Sequence, residues 1–89
     1  MATVSGQVTI EDPIGFHARP AGQIVKLVKD SGLEIRMGRQ GETLVKASSP
    51  LSLMSLKGKQ GEVLSVEVDT DDQGKAQELI SAIQGFLKG

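Results

Sequence analysis

The 89-residue chain contains no cysteine, tryptophan or tyrosine, and only two phenylalanines. Without cysteine there is neither disulfide nor thiolate metal site, which is the pattern of a reducing compartment. Its apolar runs are short, far from the roughly 20 residues that span a bilayer, and nothing resembles a secretion signal. A cytoplasmic chain that does not insert into membranes is expected. A surplus of positive charge is missing too: ten Lys and Arg face eleven Asp and Glu, a formal net charge of −1. Nucleic-acid binding rests on excess basic charge, often with aromatic rings for stacking, so that class is disfavoured. Proteins met through a local patch are the more natural partners. The length predicts a single domain over residues 1–89.

What is present is alternation. Between Thr3 and Ile10, Val4, Val8 and Ile10 share one face and Thr3, Gln7 and Thr9 the other, which predicts a half-buried strand ended by the turn residues Glu11-Asp12-Pro13. From Ala18 to Asp30 the period becomes helical, with Ala21, Ile24, Val25 and Val28 on one side, and Ser31-Gly32 offers a stop. Strands are predicted for Leu33–Met37 and for about Glu42–Ala47, joined as a hairpin through Gly38–Gly41. Pro50 opens a short helix over Leu51–Lys57, and Gly58–Gly61 turns the chain. A last strand, Glu62–Asp69, precedes a helix from Gln73 to Leu87 for which Thr70-Asp71-Asp72 supplies N-cap candidates. The order β-α-β-β-α-β-α predicts an α+β, two-layer open-faced sandwich. A four-stranded, mainly antiparallel sheet is covered on one face by three helices.

Chemistry concentrates in Gly15-Phe16-His17-Ala18-Arg19-Pro20. His17 is the single histidine, placed between a turn and a helix start, where unpaired N–H groups and the helix dipole favour anions. One imidazole nitrogen is a nucleophile near neutral pH. A phosphoryl group on that ring would meet the Ala18 and Arg19 amides. The Arg19 guanidinium adds planar donors suited to phosphate, and Pro20 stiffens the first turn without wasting an N–H. Physical chemistry alone gives an anion-friendly histidine, and a plain cap is the competing reading. No metal ligand set accompanies it: Glu11 and Asp12 are read as turn residues, and no cofactor is called for.

In the short helix, Leu53 and Leu56 form one apolar pair and Leu51 and Met54 another. A helix on a one-sided core buries one stripe, so Leu53 and Leu56 are assigned to the core. Leu51 and Met54 are assigned to an exposed docking patch beside His17, where methionine suits adaptable contacts. Gly22, on the outer side of the first helix, would allow close approach.

The six-residue segment around His17 resembles the active-site signature of the HPr family, the histidine-containing phosphocarriers of the bacterial phosphoenolpyruvate-dependent sugar phosphotransferase system. The family pattern is Gly, an apolar residue, His, Ala or Thr, Arg, Pro, and the likeness extends over the length and element order of the chain. The resemblance implies that His17 is phosphorylated on Nδ1 by phospho-enzyme I and passes the group to enzyme IIA proteins or domains, with Arg19 as electrostatic partner. It implies a carrier rather than an enzyme; nothing in the sequence suggests obligate assembly, so a monomer is expected. It also points to Ser49 as a regulatory phosphorylation site for an HPr kinase/phosphorylase, although Ser49 before Pro50 is equally an ordinary N-cap pair. Two departures from the family stand out: Pro50 directly after Ser49, and Lys57 where a glycine often follows the helix, with Gly58 expected to serve one residue later. A carrier for a paralogous, nitrogen-related relay and a protein-binding module with His17 as a mere cap are the competing functions.

Overall fold

The computed structural model describes residues 2–89. Its elements are β1 (Thr3–Thr9), α1 (Ala18–Ser31), β2 (Ile35–Gly38), β3 (Val45–Lys46), α2 (Pro50–Ser55), β4 (Val63–Asp69) and α3 (Gln73–Phe86). The strands form one sheet in the order β1-β4-β2-β3, and every neighbouring pair is antiparallel. Both β1 and β2 flank β4, so each of the helical connections is a crossover, as the order of elements requires.

Alternation decides which face is covered. Val8, Ile10, Ile35, Met37, Leu64, Val66 and Val68 are all buried under the helices. They meet Ile24, Val25 and Val28 from α1, Leu53 from α2, and Leu79, Ile80 and Ile83 from α3 in one core. Gly6 lies on this face because a Cβ there would stand 2.8 Å from Ile80 Cδ1. The opposite face is open and polar. There Arg36 grips Asp69 at 2.7 and 3.0 Å and Glu67 at 3.3 Å across neighbouring strands. That contact holds the Asp69 carboxyl below its ordinary range.

Helix ends follow their predicted chemistry. Asp72 caps α3 by accepting from the Lys75 amide at 2.9 Å, and Ser49 caps α2 by accepting from Ser52 at 3.2 Å. Gly32 closes α1 at φ +69°. Four expectations need correction. The third strand shrinks from Glu42–Ala47 to Val45–Lys46, and the second begins at Ile35 rather than Leu33. Leu44 rides over Gly38, its Cα 3.3 Å from where a Cβ would be, so residues 39–44 loop above the sheet instead of pairing along it. The short helix ends at Ser55, and Lys57 itself takes the left-handed conformation at φ +51°. Gly58 serves packing: a Cβ there would lie 2.5 Å from Ile10 Cδ1 and 3.1 Å from Phe16 Cβ.

Candidate functional site

The loop from Ile10 to His17 is held from three directions. At its start, the Glu11 and Asp12 amides both donate to the Leu87 carbonyl at 2.9 Å, tying the loop to the end of α3. Just before it, the Gln84 side-chain amide clasps the Thr9 backbone, accepting from its N–H and donating to its carbonyl, each at 2.8 Å. At its end, the Phe16 amide donates to the Gly58 carbonyl at 2.9 Å while the Phe16 ring enters the core. This last bond brings the turn that follows α2 against the residues carrying His17. Gly15 makes the approach possible: it sits at φ +87°, and a Cβ there would be 2.6 Å from the Gly58 carbonyl oxygen.

So held, His17 becomes the N-cap of α1 in extended conformation, φ −107° and ψ −174°, without using its side chain as a cap. The first helical bond runs from the Ala21 amide to the His17 carbonyl. The Ala18 and Arg19 amides consequently have no partner among the described residues, and Pro20 offers no N–H to leave unpaired. The Arg19 side chain is engaged in no ion pair among the described residues. The imidazole is partly exposed, 28% of its side-chain surface.

One contact was not expected from sequence. The Asp12 Oδ2 lies 3.0 Å from His17 Nε2, while Oδ1 accepts the Ile14 amide at 2.9 Å. Asp12 is a turn residue as expected, but it is also 92% buried and faces the histidine, which the turn reading missed. The Ile14 amide first, and the His17 ring second, hold its carboxyl below the ordinary carboxylate range. The second nitrogen of the ring, Nδ1, makes no hydrogen bond among the described residues. A partly exposed imidazole, two amides without partners among the described residues and the Arg19 guanidinium belong to the first turn of α1, where the helix dipole favours negative charge.

The apolar surroundings divide as the spacing suggested. Leu53 is buried and Leu56 half-buried on the core side of α2, whereas Leu51 is 82% exposed and Met54 41% exposed. Gly22 is open, with nothing within 4 Å of an added Cβ. Ile14, in the His17 loop and 76% exposed, is a further surface apolar residue that sequence reasoning passed over. Its position two residues before the glycine-histidine segment's Phe16 was the available signal. No helix among the described residues is long and apolar enough to cross a membrane.

Comparison with known proteins places residues 4–88 in a match to the family described as "PTS HPr component phosphorylation site". The phosphocarrier protein HPr of Lysinibacillus sphaericus is 34% identical over 79 residues, covering 86% of each chain. The phosphocarrier protein NPr of Klebsiella oxytoca is 26% identical over 81 residues, covering 91% of this chain and 90% of its own. Among solved structures, a phosphocarrier protein HPr from Bacillus anthracis superposes with a TM-score of 0.79 at 26% identity, covering 97% of this chain and 98% of that one.

Proposed function

Because the chain belongs to the HPr family of phosphotransferase-system phosphocarriers, we propose that His17 accepts a phosphoryl group on Nδ1 from phospho-enzyme I. It then yields the group to enzyme IIA proteins or domains, in sugar uptake. The observation that carries this reading is the state of His17 itself. Among the described residues its Nδ1 makes no hydrogen bond, and the Ala18 and Arg19 amides and the Arg19 guanidinium in the same first turn of α1 have no partner. The lone pair of Nδ1 forms the new N–P bond as the donor's bond to phosphorus breaks, the electron pair leaving with the donor. The Ala18 and Arg19 amides and the Arg19 side chain offset the phosphoryl charge, and Pro20 keeps the turn rigid. With so few ligands the group is held loosely enough to leave again, and most of the rate acceleration falls to the partner proteins.

In this reading Leu51, Met54 and Gly22 form the surface on which those partners dock, and residues 1–89 act as one carrier domain in the cytoplasm. Ser49 serves as a switch for HPr kinase/phosphorylase: a phosphate there adds about −1.5 to −2 charge beside the docking patch and repels an acidic partner. The 26% identity with an NPr favours one second reading, a relay other than sugar uptake with a different donor.

The test is incubation with enzyme I and phosphoenolpyruvate, for wild type and His17→Ala, followed by intact mass before and after acid. One acid-labile phosphate on the wild type alone is expected. If a competent enzyme I leaves the wild type unmodified, the sugar-uptake assignment fails.

A further inference from the structure

Asp12 is anchored at every polar atom. Its amide donates to Leu87, its carbonyl accepts from Gly15, its Oδ1 accepts from Ile14, and its Oδ2 faces His17 Nε2 at 3.0 Å. With Oδ1 occupied by a backbone amide, the carboxylate cannot swing away, and Oδ2 is left an acceptor that needs a donor. The carboxyl is held below its ordinary range, so it is ionised at neutral pH and donates nothing itself. The hydrogen in the 3.0 Å contact therefore sits on Nε2, and in the neutral ring the lone pair is on Nδ1.

We propose that Asp12 is a positioning residue for phosphoryl transfer: it fixes His17 in the Nε2–H tautomer, presents Nδ1 as the accepting nitrogen, and compensates the charge that the ring acquires. This rests on the carrier reading above. When Nδ1 takes the phosphoryl group, the N–P bond forms, the donor's bond to phosphorus breaks with its electron pair, and Nε2 keeps its proton. The imidazole thereby becomes cationic, with the Asp12 carboxylate against its N–H. The arrangement resembles the carboxylate that orients a metal-bound or catalytic histidine through its second nitrogen. The positive charge of Arg19 also favours the ionised carboxyl.

Asp12→Asn separates this role from a purely structural one. An Asn Oδ1 keeps the bond from Ile14, which places the amide NH2, a donor, where Oδ2 accepted. Nε2 must then accept, the proton moves to Nδ1, and the nucleophile is blocked. Asp12→Ala removes both bonds but imposes no tautomer. Since His17 is the single histidine, its ring nitrogens give one unambiguous ¹⁵N signature. The expected result is an Nε2–H signature in wild type, an Nδ1–H signature in Asp12→Asn, and phosphorylation by enzyme I slowed on the order of 10–100-fold in Asp12→Asn. Asp12→Ala should be slowed less than Asp12→Asn. A role confined to the turn predicts the reverse order, since only the alanine loses the Ile14 bond, and that order overturns the proposal. So does a wild-type rate and tautomer in Asp12→Asn. A wild type that takes no phosphate from enzyme I overturns the carrier reading instead, and this proposal with it.

Discussion

Replacing Gly15 by alanine should loosen the His17 loop more than any other single methyl group on this surface. The residue sits at φ +87°, where an L side chain costs about 1–2 kcal/mol. The new Cβ would also stand 2.6 Å from the Gly58 carbonyl oxygen, a backbone atom that cannot rotate aside. Relief requires the strands of loop to part, which breaks the 2.9 Å bond from the Phe16 amide, about 1 kcal/mol net. Reduced freedom of the unfolded chain returns about 0.4–1 kcal/mol. The net expectation is a loss of about 2 kcal/mol, or roughly 8–16 °C in Tm for a domain of this size. With no tryptophan or tyrosine to follow, urea unfolding is read by far-UV circular dichroism. Gly22→Ala is the matched control. It adds the same methyl inside α1 where nothing lies within 4 Å, and should stabilise by about 0.5–1 kcal/mol. Gly15→Ala within about 0.5 kcal/mol of wild type would refute the reasoning, because that spread is what an unconstrained surface position shows.

Two other expectations concern the segment after α2. Lys57 occupies the left-handed region at φ +51°, so Lys57→Gly should raise stability by about 0.5–1 kcal/mol, read as a higher urea midpoint; a lower midpoint would show that its side chain contributes more than the strain removes. Glu62 is gripped by Arg39 at 2.7 and 3.0 Å and accepts the Lys59 amide at 2.8 Å, and these contacts lower its carboxyl from 4.5 to about 2. The folded state thus binds fewer protons than the unfolded state in that window. The stability Glu62 contributes is complete above pH 4.5 and is lost as pH falls toward 2. Glu62→Gln should flatten the decline in urea midpoint across this range, and an unchanged slope would count against the pair.

The architecture was legible because burial here follows simple periods. β1 and β4 alternate cleanly, α1 carries its apolar stripe, and the Leu53/Leu56 against Leu51/Met54 division in α2 needs only the premise of a one-sided core. The failures share a cause. Leu44 looks like a strand residue in sequence, yet it crosses over Gly38, and only the third dimension shows that crossing. Gly58 was read as a conformational residue when its reason is contact with Ile10 and Phe16. Asp12 was the larger omission. It lies five positions before His17, a spacing that matches neither helix nor strand. The pairing exists because the chain doubles back at Asp12–Gly15 and Gly15 tolerates a positive φ. A buried carboxylate cannot be recognised from a sequence in which Asp12-Pro13 looks like any turn.

The ties from Leu87 and Gln84 to residues 9–12 carry a consequence for how the molecule comes into being. The clasp on Thr9 spans 75 positions, and among the described residues β1 pairs with β4 alone, more than half the chain away. Contacts of such separation close late, after the local helices have formed, because loop-closure entropy must be met first. The loop presenting His17 is therefore expected to be assembled late in folding. Until α3 has docked, the Asp12 amide has no Leu87 carbonyl to meet and the imidazole has no fixed direction. The orientation of the His17 ring is thus tied to completion of the whole fold, through contacts made by the last residues of the chain's final helical segment.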